Sequence, residues 1–556
     1  VPVCVEVDAD TETPVSAFLK LSRGESHAFL FESVEGGERT GRWSFLGAGP
    51  RALHTWRLGE PGDPLSHVEG VLARHRAVRL EGFPRFTGGL VGHLSYDIVR
   101  LLEPRVPVAG PEEVGFPDAL LMDFDTLVAF DNLRHTVQVI AQARCSEGDD
   151  PRALYRDAHA RIGKVLARLR APLEDARPAP LPHTPELRST VTREAFEAAV
   201  LKAKEYIQAG DCQQIVLSQR FEAEVGLPPF ELYRALRRVN PSPYLFFLKE
   251  GPQALVGSSP ETLVKLEGDE VSLRPIAGTR RRGKSAAEDA ALEKELLADP
   301  KENAEHAMLV DLGRNDVGRV SRMGTVRVTA LKTVERYSHV LHMVSEVRGR
   351  LLEGKGCVDV LRATFPAGTL SGSPKVRAME LIDQLEPARR GPYGGCAGYF
   401  DLSGDMEMAI TIRTLLQSGR RLSVQAGAGV VYDSVPADEY QETVNKAGAL
   451  FAAVALAGAR ALRPGGPASS QGPAPRKAAQ AGARKSAKAK AGKQPAGKQP
   501  AGEQTSGKRG AGKGAPARKQ PKPGARKPAG PRGVARTPAA VPPPSTRNSR
   551  KGKDRP

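Results

Sequence analysis

The chain has 556 residues, enough for a sizeable core, and a formal net charge of +17. From Arg463 to Pro556 there are 24 Lys and Arg against only Glu503 and Asp554, so this stretch carries +22 and the rest −5, and the global charge is no sign that the body binds nucleic acid. The five cysteines, Cys4, Cys145, Cys212, Cys357 and Cys396, are odd in number and never in C-x-x-C spacing, which argues against a disulfide framework or a zinc site and fits a reducing cytoplasm.

The first residues, VPVCVEVDADTETP, are acidic where an export signal needs positive charge ahead of an apolar run. Residues 1–170 mix alternating runs (HAFLFES, RWSFLGAG, FTGGLVGHLSYD, LVAFDN, TVQVIAQA) with a long helical pattern near 151–170, which predicts an α+β N-terminal domain. In 171–190, Pro172, Pro178, Pro180, Pro182 and Pro185 break the pattern and predict an exposed linker. A second domain is predicted over 191–462. Thr192 is a candidate N-cap for a helix with Phe196, Val200 and Ile207 on one face and Gly210 as its stop. Strand-like runs then dominate (QQIVLSQRFEAEV, PYLFFLK, QALVGSS, TLVKLEG, CAGYFDL, MAITIRTLL, RLSVQAGAGVVYD), predicting large antiparallel sheets flanked by helices. The apolar stretch 447–459 is too short to span a bilayer and has a helical pattern. Residues 463–556 contain two Val as their only large aliphatics and no aromatics, so they are expected to be disordered.

Two motifs are decoys. Gly278 to Ser285, GTRRRGKS, satisfies G-x-x-x-x-G-K-[ST], but Pro275 interrupts the preceding run and three arginines crowd a loop that should offer small residues and backbone N–H groups. Cys396 in GGCAG resembles a nucleophile elbow, yet all 11 histidines precede it, the last being His342, so no downstream base is available. No glutaminase is expected within the chain.

Glu302 and Glu305 follow Asp299-Pro300, a helix start, and their spacing puts both carboxylates on one face; Glu439, Glu442 and Lys446 repeat the device after Pro436. Paired carboxylates on two helices suit a hard cation such as Mg2+, although such spacings more often mark a solvated helix face.

The words around these residues are more specific. GDCQQIVLSQRF, NPSPYLFFL, GSSPETLVKL, RPIAGTRRRG, ENAEHAMLVDLGRNDVGRV, YSHVLHMVSEV, FPAGTLSGSPKVRAMELI, GPYGGCAGYF, AITIRT and QAGAGVVYDSVPADEYQETVNKA, spread over 210–447, closely resemble the chorismate-utilising enzymes. The resemblance implies an α+β fold, a two-sheet antiparallel sandwich with a smaller N-terminal regulatory domain, and an Mg2+-dependent chorismate site. By position it makes Glu305 and Glu442 the metal ligands, with Glu302 and Glu439 supporting them directly or through water. Gly278, Thr279, Tyr393, Arg413, the Gly427-Ala428-Gly429 loop and Lys446 would bind the substrate dianion. Glu261, in SSPE, is the implied general acid and needs a raised pKa; His342 and Thr369 would lie near the reacting ring.

Within the family, Gln214 stands where members that add water are expected to carry a lysine base, and Ala277 where aminodeoxychorismate synthases typically carry lysine. Both point to the anthranilate synthase branch, which joins ammonia to chorismate and releases pyruvate at the first committed step of tryptophan biosynthesis. Aminodeoxychorismate synthase component I is the nearest alternative. FLFESVEGGERTGRWSFLG, residues 29–47, resembles the tryptophan-sensing segment of anthranilate synthases and implies feedback inhibition. Glu32, Ser33, Pro243, Tyr244 and Tyr399 would form that pocket, with Leu245 in place of the methionine of some relatives. The resemblance also implies a separate glutamine amidotransferase subunit as ammonia source. The basic tail could attract nucleic acid or other polyanions without base specificity.

Overall fold

The computed structural model describes residues 1–33, 41–107, 110–173, 185–337 and 340–461, all within one compact unit. The predicted tail 463–556 lies outside the described residues, as do 34–40 of the tryptophan-sensing segment and 174–184 of the linker.

Two antiparallel sheets carry the fold. In the twelve-stranded one the order is Pro2–Asp8, Thr136–Gln142, Thr126–Asp131, Trp43–Ala48, His27–Glu32, Tyr244–Glu250, Gln253–Ser259, Thr414–Ser418, Arg421–Val430, Gln214–Glu224 and Gly372–Ser373, with Arg188–Ser189 also pairing Gln214–Glu224. The ten-stranded one runs Ile276–Arg281, Val340–Arg350, Glu270–Leu273, Thr262–Glu267, Met406–Ile410, Cys396–Asp401, Gly89–Leu94, Ala119–Phe124 and Ala52–Trp56, with Arg327–Arg336 also pairing Val340–Arg350. Strands from both sides of the Pro-rich segment are therefore direct neighbours, with Leu245 opposite Glu32 in one sheet and Cys396 opposite Leu94 in the other.

The sheets face each other across an apolar layer. Phe29, Phe45, Leu127 and Phe246 from the first meet Val91, Met122, Phe124 and Tyr399 from the second. The alternation seen in the sequence supplies these residues from one side of each strand. Helices cover the outer faces. Ala447, Leu450, Ala453, Val454 and Ala457 of the helix Pro436–Ala461 enter the core outside the first sheet, and Val310 and Val317 of the helix Pro300–Gly318 enter the core outside the second. Their starts follow the sequence cues: the Asp299 side chain accepts from the N–H groups of Lys301 and Glu302 at 3.0 and 3.2 Å, with Pro300 in the first turn.

One buried ion pair joins the layers. His93 of the second sheet gives Nδ1 to Glu250 Oε1 of the first at 2.8 Å and Nε2 to the Pro117 carbonyl at 3.1 Å. Both neighbours are acceptors, so both ring nitrogens carry protons. Burial alone would lower the His93 pKa, but the Glu250 charge and the two hydrogen bonds raise it above its ordinary value. Glu250→Gln is expected to cost about 3 kcal/mol in urea unfolding at pH 6, because it strands a buried imidazole partner. The pair contributes fully below the unfolded histidine value of 6.5 and is lost as pH rises through the higher folded value, so the deficit should shrink in alkaline buffer.

Candidate active site

The strand Ile276–Arg281 pairs with Val340–Arg350 through a bulge between Ala277 and Thr279, where Gly278 has φ +72°. A Cβ at Gly278 would meet Leu296 Cδ1 at 2.8 Å and Glu302 Oε2 at 3.1 Å, so glycine is required by both backbone and neighbours. Across the pair, His342 Nδ1 lies 3.0 Å from Thr279 Oγ1 and 3.3 Å from the Gly278 carbonyl. A carbonyl only accepts, so Nδ1 carries the proton and Nε2 is left as a base. Burial lowers the His342 pKa and keeps the ring neutral.

Gly427, Ala428 and Gly429 form strand rather than the expected loop, within Arg421–Val430 opposite Ser218, Leu217 and Val216. The amides of the two glycines are nevertheless turned outward. Ser218 N donates to Glu386 and Val216 N to the Ser371 carbonyl, both turned away from the paired strand. In an antiparallel pair, Gly427 and Gly429 then also turn their N–H groups outward. The neighbouring strand Thr414–Ser418 pairs only as far as Val424, and Arg413, at φ +50°, leads the chain away, which leaves that edge open. Lys446 Nζ reaches it, donating to the Gly427 carbonyl at 2.9 Å, while Arg413 Nη1 donates to the Lys446 carbonyl at 2.7 Å. Tyr393 is buried, its hydroxyl 2.8 Å from where a Gly427 Cβ would stand, and burial pushes its pKa up to about 12, so it stays a neutral donor.

Across two helices, Glu305 and Glu442 are near enough for their charges to interact, each with a second glutamate of its own helix turn beside it. Burial raises the Glu305 pKa, the charge of Glu302 raises it further, and Glu442 adds to this against the pull of Lys446. Burial likewise raises that of Glu439, with Glu442 adding to it and Ser434 opposing through a hydrogen bond. Lys446 Nζ forms a 2.6 Å ion pair with Glu442 Oε1. Among the described residues no three His, Cys, Asp or Glu side chains converge tightly enough to hold an ion unaided. A donor set of carboxylate oxygens alone, short of a full shell, fits a hard cation that also takes substrate and water oxygens.

Glu261 is buried, and burial raises its pKa from 4.5 to about 8, against the opposing effects of the Thr369 hydrogen bond and Lys446. Thr369 Oγ1 lies 3.2 Å from Glu261 Oε1. A small cleft opens onto both, walled further by Arg274, Pro275, Leu312 and Asp316. The structure thus combines a carboxylic acid protonated at neutral pH, a neutral histidine, free strand amides and a cluster of carboxylates.

The sequence pattern described as chorismate binding enzyme matches residues 26–452. The chain belongs to that family. Anthranilate synthase component 1 of Pseudomonas putida is 48% identical over 476 residues, covering 82% of this chain and 96% of the relative, and that of Aquifex aeolicus is 45% identical over 475 residues, covering 82% and 95%. The crystal structure of anthranilate synthase component I from Streptococcus pneumoniae superposes with a TM-score of 0.67 at 38% identity, covering 75% of this chain and 95% of that one. The menaquinone-specific isochorismate synthase of Escherichia coli, at 20% identity and TM-score 0.64 over 82% and 95%, shares the fold.

This chorismate-binding enzyme has a second cavity at the joint between early and late strands. Glu32, Ser33, Pro243, Tyr244, Leu245 and Tyr399, the residues expected to sense tryptophan, all line it, together with Phe31, Trp43 and Phe45. The Glu32 carboxylate is already held by Arg237, at 3.0 and 3.1 Å, and by the Tyr233 hydroxyl. Sequence reasoning missed Glu407, which accepts from the Tyr244 and Tyr399 hydroxyls at 3.2 Å each. Its signal was a lone charge inside the strand MEMAI. Among the described residues no helix is long and apolar enough to cross a membrane.

A buried acid with a pKa of about 8 has a kinetic signature. If Glu261 must be protonated to act, kcat should be flat from pH 6 to 7 and fall as pH rises through about 8, and Glu261→Gln should remove that limb with most of the rate.

Proposed function

We propose that this chorismate-binding enzyme is the aminating component of an anthranilate synthase, converting chorismate and ammonia into anthranilate, pyruvate and water with Mg2+. The observation that carries the choice of nucleophile is Gln214. Its Nε2 lies 2.5 Å from where a Gly429 Cβ would stand, so a neutral amide occupies the position beside the substrate strand where water-adding members are expected to carry a lysine. An amide cannot deprotonate water, whereas ammonia attacks without a base. The anthranilate synthases among the relatives and Ala277 support the same choice over aminodeoxychorismate synthesis.

The residues divide the work by chemistry. Glu305 and Glu442 would hold Mg2+, with Glu302 and Glu439 behind them. When bound, the cation supplies charge that fixes the ring carboxylate of chorismate. Arg413, Lys446 and the Gly427 and Gly429 amides bind anionic oxygens, and Tyr393 donates a neutral hydrogen bond. Ammonia attacks the ring as the 4-hydroxyl leaves with the Glu261 proton, forming water. The ammonium nitrogen so formed returns a proton to Glu261; His342 Nε2 then takes the ring proton as the enolpyruvyl C–O bond breaks, and that proton passes to the methylene carbon of the departing enolate, giving pyruvate. Thr369 keeps Glu261 oriented through their hydrogen bond.

The aromatic cavity at the strand joint is the proposed tryptophan site. Phe31, Trp43 and Phe45 offer faces to an indole, and Glu407 offers a carboxylate for an ammonium group. The "component 1" in the relatives' names supports a separate glutamine amidotransferase as ammonia donor.

The direct test is purified protein with chorismate, Mg2+ and an ammonium salt, read by anthranilate fluorescence. The expected product signal is abolished by EDTA and suppressed by tryptophan, and Glu442→Gln should lower kcat/KM by roughly a hundredfold or more. Consumption of chorismate without anthranilate would overturn the assignment. For the tryptophan site, Glu407→Gln is expected to raise the inhibitory tryptophan concentration about tenfold while leaving uninhibited turnover within twofold, given that a charge-assisted hydrogen bond is lost.

A further inference from the structure

The arginine run that mimics a phosphate loop has another use. Ile276–Arg281 is a strand, and Ser285 caps the following helix, so no phosphate cradle forms. Arg280 instead reaches three acids on the two helices that follow. Its Nε donates to Glu295 Oε1 at 3.0 Å, Nη2 to Asp299 Oδ2 at 2.8 Å and Nη1 to Glu302 Oε1 at 2.9 Å; Nη1 also meets the Thr279 carbonyl at 3.1 Å. Asp299 is itself the N-cap that fixes the first turn bearing Glu302. One planar fork therefore ties the strand carrying Gly278 and Thr279 to the helix carrying Glu302 and Glu305.

The tie has a direction. Arg280 engages only Oε1 of Glu302, and among the described residues Oε2 receives no hydrogen bond. That oxygen lies 3.1 Å from where a Gly278 Cβ would be, over the residue expected to touch substrate. We propose that Arg280 is a positioning residue for the cation: it pins one Glu302 oxygen so that the other is presented beside Gly278, where it would support a cation held by Glu305 and Glu442. A guanidinium does this where an ammonium would not, because its donors have fixed relative angles and can meet several acids at once. It also offsets part of the negative charge that the glutamates accumulate before a cation arrives. The inference rests on the cation reading of Glu305 and Glu442.

The test uses the full chain and Mn2+ as the probe, titrated by electron paramagnetic resonance with saturating chorismate and no ammonium. Arg280→Met is expected to weaken Mn2+ binding about tenfold and Arg280→Lys by less, in the range seen when groups that orient metal ligands are removed. In turnover, the half-saturating Mg2+ concentration should rise by the same factor. Glu295→Gln removes an Arg280 partner that does not face the cation, and should keep Mn2+ affinity within about twofold. Equal Mn2+ affinity in wild type and the Arg280 variants overturns the proposal, as does a Glu295→Gln loss as large as that of Arg280→Met, which would make the hub a structural tie alone. Should Arg280→Met not fold, Arg280→Lys decides between these outcomes. Absence of Mn2+ binding by wild-type protein overturns the cation reading itself, a result distinct from equal binding across the series.

Discussion

Like charge held at close range is the constraint around which the site is built. Glu302 and Glu305 sit at the start of the helix Pro300–Gly318, and Glu439 and Glu442 at the start of the helix Pro436–Ala461. Helix N-termini lend partial positive charge, and Arg280 and Lys446 each neutralise one carboxylate, yet burial first, and then the charges of Glu302 and Glu442, still raise the pKa of Glu305. Apolar burial elsewhere on the same helices holds them in place: Ala447, Leu450 and Val454 on one, Val310 and Val317 on the other. A core that holds like charges near one another does so at a cost in stability, which a bound cation, as proposed above, would relieve.

The sheets add the complementary half. At Arg413 the short strand Thr414–Ser418 parts from its neighbour, so Lys446 Nζ rather than another strand meets this edge, at the Gly427 carbonyl, and Arg413 in turn holds the Lys446 carbonyl. In the proposed function the carboxylates would hold a cation while this edge would take the anionic oxygens of the substrate. The second cavity is one residue away in the chain: Glu261 faces the first, while the Thr262 hydroxyl hydrogen-bonds Tyr244 in the second. Tyr244 is therefore tied directly to the segment that carries Glu261.

Much of this was legible in the sequence because local rules wrote it. Asp299-Pro300 and Thr192 announced their helices by capping chemistry, and the spacing of Glu302 and Glu305 placed them on one face. The resemblance located Glu261, and the structure supplied the burial that raises its pKa. What depended on long-range pairing was not legible. Gly427 to Gly429 looked like a loop because composition does not say which edge of a strand lacks a neighbour. Tyr233 meets Glu32 across 201 residues of chain, so its i,i+4 relation to Arg237 had no visible purpose. The stripe Glu295, Asp299 and Glu302, at spacings of four and three, was a signal for an arginine partner, but it crosses a helix boundary and gains meaning only when the strand packs beside it.

The central claim, that the fold holds glutamates in mutual repulsion awaiting a cation, is tested most directly by thermal melting of wild type and Glu305→Gln in EDTA at pH 7. Removing one charge should raise the Tm of the cation-free protein, and Mg2+ with chorismate should then raise the Tm of wild type but not of the variant. A lower Tm for Glu305→Gln in EDTA, or an equal Mg2+ response in both, would contradict the account.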